Sequence, residues 1–254
     1  MEVTDPSSTD DEQAGHVGPA GPVIAPVPRE GGRQVIPRPP SARAGAGAPW
    51  ADLPPERRRS ITVSRVRAAF STAPPDARRL PPDGFPVLRS SAAVLAPLFD
   101  EGGEARVILT RRAAHLRAHR GEVSFPGGRL DEGETPEAGA LREASEEIGL
   151  DSRPVETVGR LTAVTTFASG STITPVVGLL SGRPHVVASP TEVEHVFDVA
   201  LAELADPQIF REEWWTVPAR GEPFPIWFFE LPDDTVWGAT ARMLVDLLRI
   251  VLEV

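Results

Sequence analysis

Residues 128–150 constrain the fold of this chain most, because they specify a helix with both of its ends marked. Thr135 is a residue type that caps helix N-termini, and Pro136 is tolerated in a first helical turn. Gly149 suits the left-handed backbone position that commonly follows a helix. The sequence therefore predicts a helix from about Pro136 to Ile148.

The predicted helix carries a cluster of glutamates on one face. At about 100° per residue, Glu143, Glu146 and Glu147 fall within about 100° of one another. The opposite side is apolar and is expected to pack against a sheet; it consists of Leu141, Ala144 and Ile148. Because only Arg142 is adjacent in sequence, a hard divalent cation such as Mg²⁺ or Mn²⁺ is the expected counter-charge. The alternative interpretation is a solvated acidic helix face.

The same segment resembles the Nudix box, Gly-x5-Glu-x7-Arg-Glu-U-x-Glu-Glu-x-Gly-U, in which U is a bulky aliphatic residue. Every position that requires a specific residue is matched, from Gly128 through Glu134 and Arg142 to Gly149. Ala144, at the first U position, is smaller than the usual aliphatic residue. The chain is therefore similar to the Nudix pyrophosphohydrolases.

The Nudix resemblance implies a metal site and a set of catalytic residues. Metal ions would be bound by carboxylates of the box and by a backbone carbonyl, which here belong to Glu143, Glu146, Glu147 and Gly128. Glu143, Glu146 and Arg142 are the implied catalytic residues, and Arg142 would orient a glutamate by hydrogen bonds. Metal-bound water would attack phosphorus while the cations neutralise the developing charge.

The general base of this chemistry is left open by the sequence. Glu143 and Glu146 are candidates within the box. Some members of the family use a glutamate from a distant loop, and Glu192 or Glu194 could take that position here. The alternative for each of these two residues is an ordinary carboxylate at a strand edge.

A second motif lies immediately before the box and indicates the substrate. Residues 108–128 resemble the pattern Leu-Leu-Thr-x-Arg-[Ser/Ala]-x3-Arg-x3-Gly-x3-Phe-Pro-Gly-Gly of coenzyme A pyrophosphatases, with Ile108 in place of the first leucine. The resemblance implies that substrate is bound by Thr110, Arg112, Arg117 and Phe125. Guanidinium groups offer planar forks for phosphate oxygens. The alternatives are a solvated basic stretch for the arginines and a core position for Phe125.

The chain divides into three predicted parts. Residues 1–48 are rich in Pro, Gly and Ala without apolar periodicity and are interpreted as a disordered tail. Residues 49–84 are predicted to contain one amphipathic helix over 54–71 and a proline-rich linker. Residues 85–254 are predicted to form the Nudix hydrolase domain.

Short apolar runs bounded by turn residues dominate the predicted domain. A β-hairpin is expected over 91–110 with its turn at 100–104, followed by strands over 155–167, 173–180, 193–199 and 225–231. A second helix is predicted over 239–252. The predicted fold class is α+β, a Nudix fold with a mixed β-sheet in an α/β/α sandwich.

Composition restricts the partners of the protein. The formal net charge is −10, from 36 acidic and 26 basic residues, which speaks against general attraction to nucleic acid. The absence of cysteine excludes thiolate metal sites and cysteine nucleophiles. No signal sequence or membrane-spanning segment is recognised, so a cytoplasmic location without membrane contact is expected. The expected assembly is a monomer or a homodimer.

The two motifs together predict metal-dependent hydrolysis of coenzyme A, and of acyl or oxidised coenzyme A, to 3′,5′-ADP and 4′-phosphopantetheine. The first alternative is a Nudix pyrophosphatase for another nucleoside diphosphate derivative such as ADP-ribose, because the box alone does not select a substrate. The second is a non-catalytic Nudix domain that senses a nucleotide. The complete set of box carboxylates speaks against the second.

Overall fold

The computed structural model describes residues 34–72, 91–116, 119–166, 171–217 and 221–254. Within them, one sheet contains β2 to β9 and a smaller one contains β1 and β10 to β12. The strands are β1 Arg43–Ala44, β2 Ala92–Glu101, β3 Glu104–Arg112, β4 Val123–Ser124, β5 Gly127–Arg129, β6 Glu156–Arg160, β7 Val164–Thr165, β8 Thr172–Leu180, β9 Val193–Ala200, β10 Phe210–Trp215, β11 Phe224–Glu230 and β12 Thr235–Trp237. The helices are α1 Pro55–Arg59, α2 Val63–Ser71, α3 Pro136–Ile148, α4 Leu201–Leu204 and α5 Gly238–Leu252.

The β2–β3 hairpin at the centre of the larger sheet is confirmed. Its turn is closed by Asp100, whose carboxylate accepts a hydrogen bond from the Gly103 amide at 3.2 Å. β2 runs parallel to β8, whereas the β2–β3, β3–β9 and β6–β8 pairs are antiparallel. The sheet is therefore mixed, as predicted.

Helices cover both faces of this sheet. Alternate residues of the central strands enter two apolar clusters. Leu95 and Val176 pack with α3 through Ile148, while Leu98 and Val177 face the cluster that contains α2 and α5. The α/β/α sandwich is thus confirmed. Among the described helices, none is long and apolar enough to cross a bilayer.

The smaller sheet was not predicted as a separate layer. Its strands follow the antiparallel order β1-β10-β11-β12, and Trp50 packs beneath it within 5.4 Å of the Phe210 ring and 6.3 Å of the Phe229 ring, measured between centroids. The hydrophobic pattern does not predict strand β10, because a glutamate, Glu213, occupies one of its buried positions. That carboxylate accepts hydrogen bonds from Trp215 and from the distant Arg38, both at 2.7 Å.

The prediction of a disordered tail over 1–48 is wrong for its described part. β1 pairs with β10, and Ala42 and Ala48 are buried. Pairing with a strand far along the chain supplies the hydrogen bonds and apolar contacts that the local composition lacks. Residues 34–72 therefore share the core of the predicted domain, while residues 1–33 lie outside the described part of the chain.

The single helix predicted over 54–71 is also wrong, because two helices occupy this segment. Ser60 leaves the helical conformation with φ −100° and ψ 66°, and Thr62 caps α2 by accepting a hydrogen bond from the Arg65 amide at 3.1 Å. The break buries Ile61 and lets its carbonyl accept from the Ala105 amide at 2.9 Å. The predicted linker and the predicted domain boundary at 84/85 fall within 73–90, outside the described residues.

Candidate active site on helix α3

Helix α3 begins and ends where the sequence predicts. Thr135 Oγ1 accepts a hydrogen bond from the Ala138 amide at 3.3 Å, and Pro136 occupies the first turn. Gly149 ends the helix in the left-handed conformation, with φ 62° and ψ 21°. These local signals fix the directions in which the glutamates of α3 leave the helix.

The three glutamates differ in exposure. The exposed fraction of the side chain is 60% for Glu146, 16% for Glu143 and 5% for Glu147. Glu147 is buried on the sheet side of α3 together with Ala144 and Ile148. The predicted division of the helix into an acidic face and an apolar face is therefore wrong at Glu147.

Glu143 lies directly against strand β5. A Cβ atom built on Gly128 would come within 2.5 to 2.6 Å of the Glu143 carboxylate atoms, so a side chain here would displace the carboxylate. Gly128 is held in place by pairing with Ala93 of β2. Burial raises the pKa of the Glu143 carboxyl, and a hydrogen bond from Arg142 opposes this rise.

Glu147 is a buried carboxylate with incomplete compensation. Burial raises its pKa to about 7, and the charges of Glu192 and Glu143 act in the same direction. The Gly127 amide donates to Glu147 Oε2 at 3.0 Å, and Arg112 Nη1 lies 3.8 Å from Oε1. Both contacts lower the pKa without cancelling the effect of burial. The site therefore favours either a proton or an additional cation at neutral pH.

Arg142 holds the loop and the helix together, as the resemblance implies. Its guanidinium donates to both Glu134 oxygens, at 2.9 and 3.0 Å, and to the Arg129 carbonyl at 2.9 Å. It also donates to Glu143 at 3.0 Å and to Glu146 at 3.2 Å. Arg142 thus fixes the orientation of the carboxylates, whereas its catalytic role stays a prediction.

The donor set suits a hard divalent cation. Glu143 and Glu147 offer carboxylate oxygens beside the β5 backbone, and Mg²⁺ and Mn²⁺ prefer such ligands. The incomplete compensation of Glu147 is the observation that supports a cation here. Within the described ranges, however, no group of three or more acidic or histidine side chains is arranged so that it could hold a metal ion. Carboxylates that Arg142 now binds would have to turn toward the ion.

The structure separates the two distant candidates for the general base. The charge of Glu192 raises the pKa of both Glu143 and Glu147, so Glu192 lies within electrostatic range of the carboxylate cluster. Glu194 lies 3.7 Å from Arg111 Nη1. Of these two, Glu192 is the residue that the fold brings to the site.

The upstream motif contributes one described side chain to the site, that of Arg112. Thr110 is 1% exposed and its hydroxyl lies 3.1 Å from the Ser124 carbonyl. Phe125 is 2% exposed and belongs to the apolar core, as its alternative interpretation expects. Both residues pack in the β3–β4 region, and their contact with substrate stays a prediction. Arg117 lies outside the described residues.

The hydrogen bond from the Gly127 amide to Glu147 was missed by sequence reasoning. The paired glycines of the Phe-Pro-Gly-Gly segment were the available signal, because they permit close backbone approach. The sequence indicates a metal-facing carbonyl at Gly128, whereas the described contact to Glu147 uses the Gly127 amide as the donor. This hydrogen bond depends on the position of β5 beside α3, which the sequence pattern does not contain.

Comparison with known proteins finds similarity to Nudix proteins. The NUDIX domain model matches residues 89–227. A Citrobacter koseri protein called uncharacterized Nudix hydrolase NudL is 36% identical over 189 residues, which cover 74% of this chain and 94% of that protein. Nudix hydrolase 3 of Caenorhabditis elegans is 44% identical over 118 residues, 45% of this chain and 49% of that protein, so the match spans about half of the worm protein.

The chain belongs to the Nudix family, since the matched domain covers more than half of it. A solved structure of the Nudix hydrolase RenU from M. smegmatis is 28% identical, covers 47% of this chain and 76% of that chain, and superimposes with a TM-score of 0.38. The family assignment rests on the domain match and the NudL relative. The class of activity that follows is that of a Nudix pyrophosphohydrolase.

Proposed function

We propose that this protein hydrolyses the diphosphate of coenzyme A, and of its acyl and oxidised derivatives, to 3′,5′-ADP and 4′-phosphopantetheine. The reaction would use Mg²⁺ or Mn²⁺. The observation that carries the proposal is the position of Arg112, which comes from the coenzyme A motif and lies 3.8 Å from Glu147 of the Nudix box. The substrate motif and the carboxylate helix therefore meet at one place.

Arg112 is suited to hold a substrate phosphate at the carboxylate cluster. Its side chain is 28% exposed, so its guanidinium can reach a ligand while it remains beside the buried Glu147. A planar guanidinium can donate two parallel hydrogen bonds to phosphate oxygens. Thr110 and Phe125 support this region from the core, so substrate choice depends on Arg112 and on Arg117, which is not among the described residues.

The remaining roles in the proposed reaction are metal binding, positioning of the ligands and acceptance of a proton. Glu143 and Glu147 are the ligand donors closest to β5, and Arg142 fixes Glu143 through its contact with Glu134. A bound divalent cation would act as a Lewis acid toward the diphosphate and lower the pKa of water. The charge of Glu192 acts on the same cluster, and Glu192 is the proposed acceptor of the proton from the attacking water. A cytoplasmic location and the monomeric or homodimeric state remain predictions.

Product analysis after incubation with coenzyme A and Mn²⁺ tests the proposal. We expect equal amounts of 3′,5′-ADP and 4′-phosphopantetheine from the wild type and none above background from Glu143→Gln. Glu137→Gln is the matched control, because Glu137 lies on the same helix but pairs with Arg160 away from the cluster. This control should keep wild-type activity.

Two other results would contradict the proposal in different ways. Turnover of ADP-ribose without turnover of coenzyme A would retain the Nudix chemistry and reject the substrate. Nucleotide binding that persists without metal and gives no product from any substrate would indicate a sensor domain. Comparison of kcat/KM over the substrate panel separates these outcomes.

A further inference from the structure

A β-bulge lies next to the candidate active site. Along β3 and β9 the pairing is regular as far as Arg111 and His195, but Arg112 then pairs with Val193, so Glu194 is the extra residue. Regular pairing resumes with the Ala113 amide, which donates to the Glu192 carbonyl at 2.9 Å. Bulges locally bend a strand and redirect its side chains. This one separates Arg112 and Glu192 from the rest of the β3–β9 ladder.

Arg111 connects the bulge to the smaller sheet. Its guanidinium binds Asp234 with two hydrogen bonds, from Nε at 2.8 Å and from Nη2 at 2.5 Å. Its Nη1 atom lies 3.7 Å from Glu194, the bulged residue. Asp234 also accepts a hydrogen bond from Gln34 at 2.7 Å. Arg111 therefore links the bulge, the turn between β11 and β12, and the N-terminal segment.

Arg111 and Arg112 project from opposite faces of β3. Arg111 contacts Asp234 on one face, and Arg112 contacts Glu147 on the other. Arg111 occupies a variable position of the coenzyme A motif, whereas Arg112 occupies a specified one. Since the two residues share a peptide bond at the bulge, fixing the side chain of one restricts the backbone of the other.

We propose that Arg111 is a positioning residue of this hydrolase, which clamps the β3–β9 bulge and thereby holds Arg112 at the carboxylate cluster. The proposal rests on the proposed function for its kinetic consequence. Its structural consequence is independent of the substrate, because the Ala113 amide hydrogen bond reports on the bulge directly. Positioning and activity can therefore be tested separately.

Arg111→Lys is the appropriate variant, because it keeps a cation beside Asp234 but removes the planar fork. Arg106→Lys is the matched control. Arg106 lies on the same strand and contacts Asp198 of β9 at 3.1 Å, in the regular part of the ladder. Asp234→Asn provides a second variant of the clamp from its other side, with nearly unchanged side-chain volume.

Amide hydrogen exchange followed by NMR forms the first arm of the test. We expect Arg111→Lys and Asp234→Asn to accelerate exchange at Ala113 by about tenfold, and Arg106→Lys to leave it unchanged. Unchanged protection at Ala113 in both clamp variants would overturn the proposal. This arm gives its answer even if the protein shows no hydrolase activity, which would reject the proposed function alone.

A kinetic double-mutant cycle forms the second arm. We expect Arg111→Lys to raise KM for coenzyme A about tenfold with kcat within about twofold of the wild type, because Arg112 is the phosphate contact that moves. In an Arg112→Ala background the same substitution should have no further effect, a departure from additivity of about 1.4 kcal/mol. Equal effects in both backgrounds would show that Arg111 does not act through Arg112.

Discussion

The two faces of strand β3 each hold a buried carboxylate beside an arginine, and the two pairs differ in construction. Asp234 and Glu147 are equally buried, each with 4% of its surface exposed. Asp234 receives two hydrogen bonds from Arg111, at 2.8 and 2.5 Å, and one from Gln34 at 2.7 Å. Glu147 receives one from the Gly127 amide at 3.0 Å, and its arginine stays 3.8 Å away.

Asp234 and Glu147 are equally buried, but their negative charges are compensated to different extents. This difference indicates that the two carboxylates have different roles. Removing a charge from water costs several kcal/mol per ion, and only close hydrogen-bonded partners offset this cost. Asp234 has such partners and joins elements of the fold. Among the described residues, the Gly127 amide is the hydrogen-bond donor to Glu147, and burial raises the pKa of Glu147 to about 7. The Arg111–Asp234 pair, called the closed pair below, stabilises the fold. A carboxylate with too little counter-charge, such as Glu147, remains available to a cation or a substrate group.

The largest effect is expected when Glu147 is changed to Gln. Loss of this buried ligand should lower kcat/KM on the order of a thousandfold, because a neutral amide cannot replace the charge that a cation requires. The metal-free variant should nevertheless be more stable than the wild type at pH 8, by up to about 3 kcal/mol, since the pKa rise from 4.5 to about 7 measures the cost of the buried charge. Denaturant unfolding and steady-state kinetics measure the two effects.

The pH dependence of unfolding provides the control for this variant. The folded state keeps a proton on Glu147 that the unfolded chain loses above pH 4.5. The contribution of Glu147 to stability should therefore fall between pH 4.5 and about 7, and stay constant above that window. Subtracting the Glu147→Gln curve from the wild-type curve isolates this fall. A flat difference curve in metal-free buffer would contradict the incomplete compensation of Glu147.

Asp234→Ala should act in the opposite direction on stability. It removes both hydrogen bonds that Arg111 makes with Asp234 and leaves the more distant Glu194, at 3.7 Å, beside the buried guanidinium, which should destabilise the fold by about 3 kcal/mol. Glu156→Ala is the control, because its pair with Arg67 is half exposed, is screened by solvent and should contribute little to stability. Urea unfolding at pH 7 compares the variants. If Asp234→Ala were as stable as the control, the closed pair would have no structural role.

Features defined by local signals were predictable from the sequence. The caps of α3 and the turn residues of the β2–β3 hairpin act within a few positions, so both elements were confirmed close to their predicted bounds. The smaller sheet and the packing of residues 34–48 were not predictable in this way. They depend on contacts such as Arg38 with Glu213, which join residues 175 positions apart.

The candidate site was likewise predictable only where local sequence determines it. The spacing of Glu143, Glu146 and Glu147 places them together on α3, and the box pattern indicates their chemistry. The burial of Glu147 and the partial burial of Glu143 follow from the approach of β5, which β2 holds by pairing, and helical periodicity contains no information about that strand. Thr110 and Phe125 show the converse case, since the motif specifies both positions but does not distinguish contact with a ligand from support of the fold, and both side chains are buried.

The smallest predicted effect concerns Glu192 and Glu194, which lie on either side of the bulge's paired residue Val193. Glu192 lies close enough for its charge to act on Glu147 and is the proposed proton acceptor, so Glu192→Gln should lower kcat by at least about tenfold with little change in stability. Glu194 contacts Arg111 instead, so Glu194→Gln should keep kcat within about twofold. Initial rates at saturating substrate compare them. The reverse order would mean that the bulge turns Glu194, rather than Glu192, toward the reacting phosphate in the substrate complex.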